Sequence, residues 1–224
     1  MAEKQALRAV LFDLDMTLVE SKDIYVLGTR DLLRDELGVD YPVEEAYRQL
    51  GTPSPVILSR YYPAELVEQA VQRLTRRYPP YYATSLHVFP GVMESLQVLR
   101  AAGLKIGVVT SQAASELDGM RKYLPFVDWI DTWVTCDSAG AHKPHPAPVN
   151  LALQRLGVGP TQAVMVGDAL VDLQAGQAAG VQTAAALWGA YDRPGMKALA
   201  PDFCFEKPVE LAELADLADS RLAR

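Results

Sequence analysis

The stretch "AVLFDLDMTLVES", Ala9 to Ser21, opens as a buried strand and closes on acids. Ala9, Val10, Leu11 and Phe12 follow one another without a polar interruption, and Asp13 and Asp15 come next, two residues apart. An unbroken apolar run of this length is what a strand covered on both faces carries. Side chains at i and i+2 of a strand point to the same face. If the strand continued through Asp15, the two carboxylates would sit together, and at ~4 Å with an effective dielectric of about 20 they would repel by roughly 4 kcal/mol. Folding alone does not favour that arrangement. Either the strand stops before Asp15 or positive charge belongs beside the pair.

Working outward, the next segments are helical. Asp23 to Leu37 is closed by Gly38, Val43 to Leu50 is closed by Gly51, and a third stretch runs from Pro63 to about Tyr78, with apolar residues recurring at three and four. From Val88 the pattern alternates. "PGVMESLQVLRAAG", "APVNLALQRLG" and "LVDLQAGQAAG" have helical periodicity, with Pro148 in the first turn of the second. "KIGVVTS", "DWIDTWVT", "AVMVGD" and "VQTAAALW" are short apolar strands between them. Alternating strands and helices predict an α/β fold, a Rossmann-like parallel sheet with helices on both faces. The core is expected over residues 1–18 and 86–224, interrupted by a helical bundle over 19–85.

The 224 residues, half of them hydrophobic, suffice for one such core and a small second domain. A net charge of −7 and a pI near 5.0 leave no positive stripe for nucleic acid. The two cysteines, Cys136 and Cys204, form no disulfide framework, which fits a reducing cytoplasm. No apolar run approaches the ~20 residues of a membrane span. The expectation is a cytoplasmic monomer or homodimer.

In open α/β sheets, ligands bind outside the carboxyl ends of the strands. The first strand delivers Asp13 and Asp15, with Thr17 just beyond. "KIGVVTS" ends in Thr110 and Ser111, "DTWVTCD" in Asp137 shortly before Lys143 of "HKPHP", and "AVMVGD" in Asp168, with Asp172 one helical turn later. Singly, each has a plainer explanation: a solvated acid pair, a helix cap at Thr110 and Ser111, a turn at Lys143. Together, Asp13, Asp15, Asp168 and Asp172 with Lys143 suit a hard cation such as Mg²⁺ that bridges to a substrate phosphate.

These residues resemble the motifs of the haloacid dehalogenase superfamily, and more narrowly its phosphoglycolate-phosphatase-like branch with a helical cap. The resemblance covers about residues 8–190. Asp13, Asp15 and Thr17 match D-x-D-x-T, Thr110 matches the strand-end hydroxyl, Lys143 the lysine, and Gly167, Asp168 and Asp172 match G-D-x-x-x-D. Met16 stands where Gly is usual, Ser111 where Asn is common, and Ala147 where an acid often follows.

The resemblance implies a phosphatase acting on a small phosphorylated metabolite, phosphoglycolate-like or a sugar phosphate. Asp13 would be the nucleophile that forms an aspartyl phosphate, and Asp15 the acid and then the base. Thr110, Ser111 and Lys143 would hold phosphoryl oxygens. Mg²⁺ would sit on Asp13, the backbone carbonyl of Asp15, and Asp168, with Asp172 completing or orienting the set. The helices of 19–85 become the cap, and Thr52 and Ser54 of "GTPSP" its specificity residues.

A dehalogenase has no use for the acid at Asp15, and a phosphonatase needs a cap lysine that residues 38–80 lack. A signalling receiver domain is shorter and carries no inserted helices. A mutase of the β-phosphoglucomutase type and a non-catalytic phosphate-sensing protein stand as alternatives.

Overall fold

The computed structural model describes residues 6–49 and 52–218. The chain opens with β1 (Ala9–Phe12) and β2 (Val19–Glu20). Five helices follow: α1 (Lys22–Leu37), α2 (Val43–Arg48), α3 (Ser54–Leu58), α4 (Val67–Thr75) and α5 (Pro79–Ser85). Then come β3 (His87–Val88), α6 (Val92–Ala101), β4 (Lys105–Val109), α7 (Ala114–Arg121), β5 (Thr132–Val134) and α8 (Ala147–Leu156). The chain continues with β6 (Ala163–Gly167), α9 (Leu170–Ala179), β7 (Gln182–Ala186), α10 (Arg193–Ala198) and β8 (Phe203–Phe205).

Six strands form one parallel sheet in the order β5-β4-β1-β6-β7-β8. β1 lies between β4 and β6 and is buried throughout. Val10 and Phe12 face one apolar cluster with Leu96, Ile106 and Val164, while Ala9 and Leu11 face another with Val149, Leu153 and Met165. That two-sided burial is the reason for the unbroken apolar run. The chain builds outward from β1 to β5, then crosses back to β6, so the connections diverge on either side of β1. This switch point, at the carboxyl end of β1, is where an open α/β sheet leaves a crevice.

Several expected boundaries moved. The stretch from Pro63 is broken into a 3-10 turn at Ala64–Leu66, then α4 and α5. Pro79 and Pro80 lack the N–H that would continue α4, yet suit the first turn of a new helix. Part of the expected "GTPSP" turn is helical, because α3 starts at Ser54 with Pro55 in its first turn. Leu50 and Gly51, the expected end of the second helix, lie outside the described residues, as do 1–5 and 219–224 at the ends of the expected core. "DWIDTWVT" is a strand only over β5: Asp131 N donates to Ile106 O at 2.8 Å, but Ile106 N donates to the Asp131 side chain at 2.7 Å instead of to a backbone carbonyl.

Among the five helices, α1 packs against α2, α4 and α5, while α4 and α5 lean on α7 of the sheet layer. Gly28 of α1 makes the closest approach: a Cβ there would lie 2.6 and 2.8 Å from ring carbons of Tyr78. A short antiparallel pair, β2 with β3, joins the two ends of this helical group. No described helix is long and apolar enough to cross a membrane.

Candidate active site

β1 ends at Phe12, before the acids. Asp13 N still donates to Val166 O at 2.8 Å, which fixes its Cα beside β6, and the chain then turns through Met16, whose φ is +63°. The two carboxylates take different partners. Asp13 Oδ1 accepts from Lys143 Nζ at 2.6 Å. Asp15 Oδ1 accepts from Ser21 Oγ at 2.6 Å and Tyr25 Oη at 2.8 Å, and its Oδ2 accepts from Gln112 Nε2 at 2.7 Å. The strand stops before the acids, and a cation sits beside one of them.

Lys143 is almost wholly buried and makes three contacts: Asp13 Oδ1, Val109 O at 2.9 Å, and Asp172 Oδ1 in an ion pair at 2.6 Å. Burial alone would lower its pKa, but Asp13 and Asp172 outweigh burial and raise it, so Lys143 stays charged. Asp172, in the first turn of α9, turns its Oδ2 to Ala169 N at 3.0 Å. Asp168 Oδ1 accepts from Thr17 Oγ1 at 2.7 Å. Thr17 is in turn held through its carbonyl, which accepts from Trp188 Nε1 at 3.0 Å.

One carboxylate oxygen from each of Asp13, Asp168 and Asp172 lies within 4.8 Å of the others. Burial raises the pKa of Asp13 to about 7, against Lys143 and with help from Asp172 and Asp15. Burial first, then Asp13 and Asp172, raise Asp168 well above the carboxylate range. Such a crowded all-oxygen set fits a hard divalent ion, which would relieve the repulsion that raises these values. Asp15 is raised too, chiefly by burial, although Ser21, Gln112 and Tyr25 hydrogen-bond its charged form.

The same cavity continues from these acids toward the helices. Ser54 Oγ donates to Glu116 Oε1 at 2.9 Å, and Glu116 Oε2 accepts from Ala113 N at 2.8 Å. Gln112, Ser111, Thr52, Tyr41 and Tyr78 also line it.

A sequence model of the haloacid dehalogenase-like hydrolases matches residues 10–186. The phosphoglycolate phosphatase of Aquifex aeolicus is 30% identical over 211 residues, which cover 94% of this chain and 97% of that one. The pyrophosphatase PpaX of Bacillus cereus is 30% identical over 205 residues, 92% of this chain and 94% of that one. The chain belongs to the haloacid dehalogenase-like hydrolases. The solved structure of a haloacid dehalogenase-like family protein from Streptococcus pneumoniae superposes with a TM-score of 0.78 at 26% identity, over 92% of this chain and 97% of that one.

In this hydrolase the residues expected at the strand ends are not equally close to the cavity. Asp13, Asp15, Lys143, Asp168, Asp172, Ser111, Thr52 and Ser54 line it. Thr110 lies behind the wall, 2% exposed, its Oγ1 accepting from Gln112 N at 3.1 Å. Asp137, which sequence position also brought to this edge, serves the start of α7 instead, accepting from Ala114 N at 3.2 Å and from Thr135 Oγ1 at 2.5 Å. His145 Nδ1 accepts from Ala147 N at 3.1 Å, a turn contact outside the cavity. Sequence reasoning missed Ser21, Tyr25, Gln112 and Glu116. Gln112, two residues beyond a strand-end threonine, was the one with a positional signal.

Proposed function

We propose that this chain is a Mg²⁺-dependent phosphatase that hydrolyses a small phosphorylated metabolite through an aspartyl phosphate on Asp13. The observation that carries the reading is the division of labour between two acids on one loop. Asp13 is paired with Lys143 at 2.6 Å, and Asp15 is buried, raised, and held by three neutral donors.

An Asp13 oxygen attacks phosphorus as the bond from phosphorus to the leaving oxygen breaks. The Asp15 proton passes to that oxygen, which departs as an alcohol. Asp15, now a carboxylate, takes a proton from water, whose oxygen attacks phosphorus as the Asp13–phosphorus bond breaks, releasing inorganic phosphate. Lys143 offsets phosphoryl charge, and Ser111 supplies a donor just beyond the end of β4, with Thr110 behind it seating Gln112 N. Mg²⁺, when held by Asp13, Asp168 and the Asp15 carbonyl with Asp172 bracing Lys143, supplies further positive charge to the transferring group.

Residues 19–85 act as a cap in this reading, excluding water and presenting Thr52 and Ser54 to the leaving group. A mutase would use the same two aspartates; the relatives above are named as phosphatases, which favours net hydrolysis. Two unpaired cysteines, Cys136 and Cys204, accord with a cytoplasmic setting.

The test is hydrolysis of para-nitrophenyl phosphate. The rate should require Mg²⁺ and fall to background in excess chelator, and Asp13→Asn should lower kcat by roughly a thousandfold or more. Full activity in chelator, or a variant that keeps a tenth of the wild-type rate, contradicts the proposal.

A further inference from the structure

Two described residues other than glycine have a positive φ, Met16 and Ala200, and Met16 is the one that lines the cavity. At +63° it holds a left-handed conformation that glycine enters freely and a long side chain does not. The backbone is pinned there from two sides: Met16 N donates to Val19 O at 2.7 Å, and Met16 O lies 1.8 Å from where a Cβ of Gly189 would stand. Strain of this kind gathers at functional sites.

The thioether has no task in the core. Met16 is half-buried and, among the described residues, packs into none of the three buried apolar clusters. The same holds for Val171, in the first turn of α9, and for Ile57 of α3, which are also half-buried and also line the cavity. Three apolar side chains from three separate segments thus border one space, and that space begins at the acids and Lys143. Apolar surface left open beside a phosphate site gains from whatever covers it. The part of a substrate that extends from the phosphoryl group into this space is its leaving group. A methionine, unbranched and polarizable, adapts its contacts to such a group.

Resting on the reading of the chain as a phosphatase, we infer that Met16 is a specificity-determining residue: with Val171 and Ile57 it makes an apolar wall for the leaving group. The preferred substrates are phosphate monoesters whose alcohol turns a hydrocarbon face to that wall. A glycine at this position would keep the loop and lose the contact.

The test measures kcat/KM in Mg²⁺ for methyl phosphate and butyl phosphate, whose leaving oxygens are chemically alike, together with the melting temperature. In wild type kcat/KM should rise about tenfold or more from methyl to butyl. Met16→Gly and Met16→Asn, both of which accept a left-handed backbone, should each cut that rise by roughly threefold or more. Met16→Gly should also melt at or above the wild-type temperature, because it relieves the strain. No rise in wild type, a rise that either variant leaves unaltered, or a Met16→Gly that melts below wild type overturns the inference. Wild-type hydrolysis of para-nitrophenyl phosphate keeps the phosphatase reading intact in each of those cases, and its failure overturns both.

Discussion

Gly189 has no room for a side chain: a Cβ there would lie 1.8 Å from Met16 O and 3.2 Å from Asp168 Cβ. The neighbouring Trp188 holds Thr17 O, and Thr17 holds Asp168. The loop after β7 thus seats the loop after β1 against the end of β6. Gly189→Ala meets backbone, which cannot rotate away, so it should cost about 1–3 kcal/mol and move the loop that carries Asp13 and Asp15. Thermal unfolding should fall by roughly 2–4 °C per kcal/mol for a chain of this size, and para-nitrophenyl phosphate turnover should drop with it. Wild-type stability and rate would contradict this seating. Glu116 gives a second residue-scale expectation. Burial raises its pKa above 4.5, against the donors Ala113 N and Ser54 Oγ. The folded state therefore holds the proton more tightly than the unfolded one, and this contribution to stability is full below pH 4.5 and lost as pH climbs through the raised value. Glu116→Gln removes it, so melting temperature against pH should be flatter in the variant from about pH 4.5 upward; an equal or steeper slope contradicts the assignment. The acids and Lys143 were legible because their charge is conspicuous at strand ends. Gln112 and Tyr25 were not, because choosing Asp15 as partner is decided by how α1 and α7 come together, which no local pattern encodes.

At the scale of elements, Gly28 separates two effects of opposite sign. In the interior of α1, Gly→Ala ordinarily stabilises a helix by about 1 kcal/mol. Here the added methyl would press into the Tyr78 ring at 2.6 Å, and overpacking costs about 1–3 kcal/mol. Packing should win, so Gly28→Ala should lower the melting temperature and, by displacing Tyr78, disturb the cavity wall. A higher melting temperature would show that α1 and α5 are not locked together as described. The long elements were readable because their periodicity is sustained: α1, with Gly38 in a left-handed conformation closing it, runs Lys22–Leu37, one residue longer than expected. α5 and β8 were missed for physical reasons. α5 opens on two prolines and is polar on one face, and β8 is three residues long, held by its pairing with β7 rather than by its own sequence. β2 and β3, two residues each, exist only as partners.

On the scale of the whole molecule, the sheet order brings together segments far apart in the chain. Asp13 and Lys143 are 130 residues apart, and Thr17 and Asp168 are 151 apart. None of the four groups can work alone, so the central claim is that β1 presents two acids with separate tasks: Asp13 receives the phosphoryl group and Asp15 moves protons. Para-nitrophenolate leaves without needing a proton, so Asp15→Asn should still permit transfer to Asp13 but stall the hydrolysis that needs a base. The decisive measurement mixes the Asp15→Asn variant with para-nitrophenyl phosphate and Mg²⁺, quenches in acid, and locates the phosphoryl group by peptide mass spectrometry. If the two acids divide the work in this way, a burst of about one equivalent of para-nitrophenol per enzyme appears, with the phosphoryl group on Asp13. Steady turnover at the wild-type rate, or a phosphoryl group on any other residue, would contradict it.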